Sequence, residues 1–192
     1  MSDKTTIANS ALIKIGSKQS ITSFEDGSVG ANIASIRYDE IRKDLLRGHP
    51  WNFAISRVKL ARLAGAPEFG YQYQFQLPVN WLRTLGVFLS RTGESYLRDY
   101  QAEGLQIHAD AEEMWLRYVG DVTDENLMPP DFRECISYQL AMDMSIPIAG
   151  SNSIFQLMEG KLISQLMKAK STDSMDDRPG RLPKGSWWGS RA

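Results

Sequence analysis

The chain has very little of the side-chain chemistry that makes metal centres, redox sites and nucleophiles. It holds one cysteine and two histidines in 192 residues. A single Cys135 excludes an intrachain disulfide and any paired-cysteine zinc site. It lies beside Ile136 on an apparent helix face, where a cysteine reads as a small buried hydrophobe rather than a reactive thiol. His49 and His108 are far apart, and a metal site built on either would need carboxylate partners at a spacing the sequence does not show. No metal or cofactor is expected, and His49 reads as a helix end between Gly48 and Pro50. No apolar run approaches the ~20 residues that cross a bilayer, so no membrane span is expected. MSDKTTIANS lacks a basic stretch followed by an apolar core, so no secretory signal is expected, and synthesis in a cytoplasm follows. There is no G-x-x-x-x-G-K-[ST] and no G-x-G-x-x-G after a strand.

A basic excess is missing too. The net charge is −1, which argues against a generic nucleic-acid binder. The charge is nonetheless uneven. Residues 31–91 carry nine Lys/Arg against four Asp/Glu, whereas residues 92–134 carry three against eleven. One reading is two solvated faces of opposite sign. The other is head-to-tail packing of copies, in which complementary faces fix the register of a heterologous contact.

What is present is an ordinary globular composition, 42% hydrophobic and 23% charged, enough for one domain with an arm. Ile7, Ala8, Ala11, Leu12 and Ile15 form a stripe that predicts a helix over 4–15, ended by Gly16. In the loop 17–27, Ile21 and Phe24 turn inward. Ser28 caps a second helix whose buried stripe is Ile33, Ile36, Ile41 and Leu45, flanked by Val29, Tyr38 and Leu46. Gly48 and Pro50 stop it, and Trp51 and Phe53 follow where the chain changes direction.

Beyond that corner, 53–63 fits either strand or helix, with strand preferred. Tyr71, Tyr73, Phe75 and Leu77 alternate with Gln72, Gln74 and Gln76, the period of a strand with one wet face. Further strands are expected at 82–89, 95–99, 104–108 and 114–120, with a turn at Gln101–Gly104, making a small antiparallel lobe. Pro129 and Pro130 open a third helix with Asp131 in its first turn, lined by Phe132, Cys135, Ile136, Leu140 and Met144 and ended by Pro147 and Gly150. Ser151 or Ser153 caps a fourth, with Phe155, Met158, Leu162 and Leu166 on one stripe. From Ser171 the periodicity stops. The turn-rich remainder ends in Trp187 and Trp188, whose indoles forfeit roughly 1.5–3 kcal/mol each if left in water. They either fold back on their own domain or dock on a neighbour, where tryptophan is a common anchor and Arg178, Arg181 and Lys184 would be rim charges.

The order of these parts resembles one family. A short helix ends near an "IG", and a long helix leads into RGHPWNFA. Arg57, Leu60, an aromatic strand, LP and WLRTL follow, and later MWLRYVG, an acidic MP turn and FRECI. This is similar to the head-to-tail adaptor of short-tailed phages, the tail tubular protein A family, over roughly residues 4–170. The resemblance implies an α+β, mainly helical subunit. Its N- and C-terminal helix pairs would form a four-helix bundle (1–50 and 129–170), with an antiparallel β lobe (51–120) inserted and an extended arm at 171–192. It implies a non-catalytic virion protein assembled in a host cytoplasm. The partners it implies are the portal protein, the tail nozzle protein and further copies in a ring matched to the portal, a dodecamer. DNA would pass through the ring without specific binding. The helices would face the neighbours and portal, the β lobe the nozzle. Trp187, Trp188, Arg178, Arg181 and Lys184 are the interface residues expected, and Trp51, Phe53, Trp81 and Phe132 the core anchors.

Two other functions are set against this one. Glu112-Glu113 and Asp124-Glu125 supply carboxylates for a tail-associated peptidoglycan-degrading enzyme. That activity requires one acid shielded in an apolar cleft, and Glu113 beside Met114 and Trp115 is the local candidate. Arg37, Arg42, Lys43 and Arg47 along one helix suggest a DNA-binding module. Asp39, Glu40 and Asp44 on the same helix favour intrahelical pairing instead.

Overall fold

The computed structural model describes residues 3–176. Among them the elements run α1 (Lys4–Lys14), α2 (Val29–Gly48), β1 (Ile55–Lys59), β2 (Ala61–Arg62), β3 (Tyr73–Gln76) and β4 (Trp81–Phe88). Then come β5 (Gln101–Glu103), β6 (Gln106–Ala109), β7 (Trp115–Gly120), α3 (Pro130–Ala149) and α4 (Asn152–Asp176). The chain is α+β, and both of its sheets are antiparallel, one ordered β1-β7-β4 and the other β2-β3-β6-β5. No described helix is long and apolar enough to cross a membrane.

The helix ends follow their local chemistry. Asp3 accepts the N–H of Thr6 at 2.8 Å, and Ser28 that of Ala31 at 3.2 Å, each satisfying an orphan donor of a first turn. Ser151 does the same for Ile154 at 3.3 Å. At the end of α3, Gly150 takes the left-handed conformation at φ 60° that glycine adopts without strain. Pro147 does not end that helix. It sits inside the last turn, where it forfeits its one N–H bond to the i−4 carbonyl and the helix still continues to Ala149.

The helix α3 is the packing hub, with α1, α2 and α4 all laid against it. The stripes read on α1 and α3 are the buried ones, and on α4 Met158 and Leu162 are buried while Phe155 and Leu166 are half-buried. On α2 the stripe is turned. The buried residues include Ala31, Ala34, Tyr38, Ile41, Arg42 and Leu46, while Ile36 is 71% exposed and Ile33 and Leu45 are half-buried. Small residues decide this. A Cβ on Gly30 would stand 3.2 Å from Leu12 Cδ2, so Gly30, Ala31 and Ala34 mark a close approach that bulky side chains would prevent.

The chain leaves the helices through a corner built on Trp51. Its ring meets Phe132 of α3 edge-on at 5.1 Å and His49 at 4.7 Å, and its indole N–H donates to Leu45 O at 2.8 Å. Phe53 packs on Phe132 at 5.0 Å. The carboxylate of Asp173 accepts the backbone N–H of Asn52 at 2.9 Å and lies 3.1 Å from His49 Nε2. Residues 171–176, expected to begin an arm, are therefore the last turns of α4. Ala169 is buried against the domain and Asp173 ties those turns to the corner.

Between α2 and α3 in the chain lie the two sheets, with a second core of Leu60, Phe75, Leu77, Val87, Ile107, Ala109, Met114, Leu116 and Tyr118. Residues 53–63 are a one-turn 3-10 helix followed by β1 and β2, with Leu60 between them bonding Met114 O. No strand forms at 95–99, where only Phe88 and Tyr96 make a bridge. The hairpin expected there is β5 and β6, joined by a tight turn at Gly104 (φ 57°). Of the four core anchors, Trp51 and Phe132 are fully buried, while Phe53 and Trp81 are half-buried.

Replacing Trp51 by alanine is expected to lower unfolding free energy by roughly 3–5 kcal/mol, read by urea denaturation. Burial pushes the Cys135 thiol up to about 12. Iodoacetamide should therefore leave it unmodified at pH 8 in the folded protein and label it once urea unfolds the chain; rapid native labelling would contradict its place in the core.

Candidate interaction surfaces

Two concave surfaces stand out from a well-packed domain. The first lies among the helices. Ile33 and Ile36 of α2, Met142 and Ile146 of α3 and Phe155 of α4 line an open groove of about 450 Å³. It exists because α2 buries its small face, which turns Ile36 outward, while Ile146 on α3 is also exposed. The Arg37 guanidinium closes one rim by donating to Asp143 at 2.7 Å, a bond that raises the arginine's pKa. Beyond the groove, Ile163 and Met167 of α4 are exposed one position on from Leu162 and Leu166. An exposed apolar groove is the kind of surface that other polypeptides cover.

The second concavity, about 620 Å³, lies on the outer face of the β1-β7-β4 sheet. Its lining includes Arg57, Lys59, Phe88, Arg91, Tyr96, Trp115 and Arg117.

The basic residues of α2 do not form a phosphate track. Arg42 is buried, with Nε and Nη2 donating to Asp121 at 2.9 and 3.0 Å and Nη1 donating to Asp39. Burial works against its charge, and the two carboxylates outweigh that effect, leaving its pKa raised. Arg47 donates to Leu82 O at 2.8 Å and Arg37 to Asp143, so these two and Arg42 serve the fold. Asp39–Arg42 is the intrahelical pair that the mixed charge suggested; the other partners come from β4, the segment after β7 and α3. The uneven charge along the chain is thus partly consumed within it, through Arg42–Asp121 and Lys59–Glu113.

Glu113 does not occupy an apolar cleft. It is exposed and ion-paired with Lys59. Glu112 is exposed, Asp124 bonds its own loop at Asn126, and Glu125 accepts from the Tyr38 hydroxyl at 3.1 Å. The carboxylates singled out in the sequence are thus dispersed. His49 is the residue that follows α2, as expected, and its contact with Asp173 was not legible from its neighbours in sequence. His108 sits on β6 within 3.9 Å of Glu103. Among the described residues no cluster of His, Cys, Asp and Glu has the geometry to hold a metal. Trp187, Trp188, Arg178, Arg181 and Lys184 lie outside the described residues. Sequence reasoning missed both concavities. The outward Ile36 could have been found only by counting alanines as well as large residues when phasing α2.

Neither a protein-family model nor a curated protein matches the chain.

Arg42→Ala is expected to cost about 3–5 kcal/mol of stability, because it leaves the Asp121 carboxylate uncompensated. Arg37→Ala, at a partly exposed pair, is expected to cost less, about 1 kcal/mol. Urea denaturation of the two variants side by side checks the contrast.

Proposed function

We propose that the protein is a structural subunit of a phage head-to-tail connector, assembling into a ring between portal and tail nozzle and lining the passage for DNA. The observation that carries this reading is the solvent-facing apolar groove of Ile33, Ile36, Met142, Ile146 and Phe155, set beside carboxylates that are dispersed rather than gathered in a cleft. Transforming a small molecule needs convergent polar groups in a closed pocket. Fitting against another polypeptide needs an exposed apolar face with a charged rim, and this groove has one.

In this reading the four helices act as one bundle with α3 at its centre and the β lobe inserted between the pairs. The groove takes a helix or arm of the neighbouring copy, a heterologous contact that closes into a ring matched to the portal, twelvefold by the resemblance. The residues after Asp176 add a second attachment. Trp187 and Trp188 are anchors for the portal or an adjacent subunit, with Arg178, Arg181 and Lys184 at the rim. The virion is where the protein would act.

The direct test is sedimentation of the purified protein alone and with assembled portal. Cosedimentation with portal, as a ring of fixed stoichiometry, is expected. A chain that stays monomeric and ignores the portal would sink the proposal. Ile36→Glu with Ile146→Glu should leave the melting temperature within a few degrees of wild type, since both residues are exposed, yet abolish ring formation. Removing residues 177–192 should leave a folded domain that binds portal more weakly, measured in the same assay.

A further inference from the structure

The geometry points to the concavity on the β1-β7-β4 sheet as a binding site for a nucleoside phosphate, either free or within a single strand.

The argument begins with register. Arg57 of β1 and Arg117 of β7 are direct cross-strand partners, and Lys59 pairs with Trp115 in the same ladder. Directly opposed residues share a face, with Cβ atoms about 4.5–5.5 Å apart, and like charges at that distance destabilise a sheet. Such a pair is normally relieved by carboxylates, yet the lining of this concavity contains none. Lys59 has Glu113, but among the described residues Arg57, Arg91 and Arg117 form no ion pair. Arg117 Nε is moreover buried without a hydrogen-bond partner. An anion seated between the two guanidiniums, through charge-assisted hydrogen bonds, would remove the repulsion.

The rest of the lining selects the anion. Phe88 opposes Trp115 across β4 and β7 and packs on Tyr96 at 4.4 Å with the rings tilted by 48°, and Tyr96 is 59% exposed. Gly86 makes room for these rings: a Cβ there would come within 3.0 Å of Tyr96 and 3.2 Å of Phe88. Ser90 and Thr92 add hydroxyls at the rim. Three arginines lining one concavity suit a phosphate, which offers more acceptor oxygens than a carboxylate. An exposed aromatic face beside them suits a base, and the volume of about 620 Å³ falls within the range of small-ligand sites. An acidic peptide would use the cations and leave the rings without a partner.

The site does not rest on the connector reading. Its test is titration calorimetry of the full chain with 2′-deoxyadenosine 5′-monophosphate, inorganic phosphate, a short single-stranded oligonucleotide, its duplex and a glutamate-rich peptide. Saturable binding of the mononucleotide is expected, displaced by phosphate and weakened about tenfold or more by Arg117→Gln and by Tyr96→Ala. A strand much tighter than the mononucleotide identifies the strand as the source; equal affinities identify the free nucleotide. Without ligand, Arg57→Gln should melt at the same or a higher temperature, because it removes one of two opposed charges. The proposal is overturned if neither mononucleotide nor strand binds, or if binding survives Arg117→Gln unchanged. It is also overturned if the duplex or the peptide binds more tightly than both nucleotides, or if Arg57→Gln lowers the melting temperature. Ring formation by the helical face would be untouched by any of these results.

Discussion

The Trp51 indole is the piece on which the rest of the molecule leans. Four segments distant in sequence meet around it: the end of α2, the turn into the β lobe, the start of α3 and the last turns of α4. Its ring contacts Phe132 and His49, its N–H is satisfied by Leu45 O, and Asp173 fastens Asn52 and His49 beside it. A buried aromatic with its one polar atom bonded combines large apolar burial with a fixed orientation. The corner therefore sets where the lobe leaves the helices and where α4 must come to rest. Because α3 starts here and then packs on every other helix, an error at Trp51 would propagate through the whole helical layer.

A second tie joins the layers electrostatically. Arg42 on α2 reaches Asp121, just past β7, through a two-pronged contact, and Val119 of β7 belongs to the helical core. Taking a guanidinium out of water is costly, and the bidentate geometry with Asp39 on its third edge offsets that loss. The consequence for function is subtractive. Three of the cations that would have made α2 a surface for phosphate, Arg37, Arg42 and Arg47, are committed to architecture, and Ile36 stands exposed beside the groove. The β lobe shows the reverse arrangement, with arginines unpaired on an outer sheet face and the neighbouring carboxylate, Glu113, held by Lys59.

A good part of this was legible beforehand. The stripes on α1 and α3 read correctly, and that on α4 at Met158 and Leu162, because their apolar residues recur at the helical period. The caps at Ser28 and Ser151 were legible because capping is a contact within three residues. On α2 the same method misplaced the buried side, since hydrophobicity weights isoleucine above alanine whereas close helix packing favours the smaller residue. The lobe was recognisable as antiparallel, but the strand expected at 95–99 did not form and its partner hairpin shifted toward Gly104.

By itself, then, the amino-acid order determined where the four described helices and most of the strands would lie, where most helices begin, and that the chain would be α+β. Those outcomes depend on backbone propensity and on interactions among near neighbours in the chain. Tertiary structure alone decided that α4 runs on to Asp176, that α2 shows Ile36 to water, and that Arg57 faces Arg117. Each of these follows from contacts between residues far apart in sequence, such as Asp173 with Asn52, Gly30 with Leu12 and β1 with β7. Pairing at that range is fixed by the simultaneous fit of several elements, which no local pattern encodes.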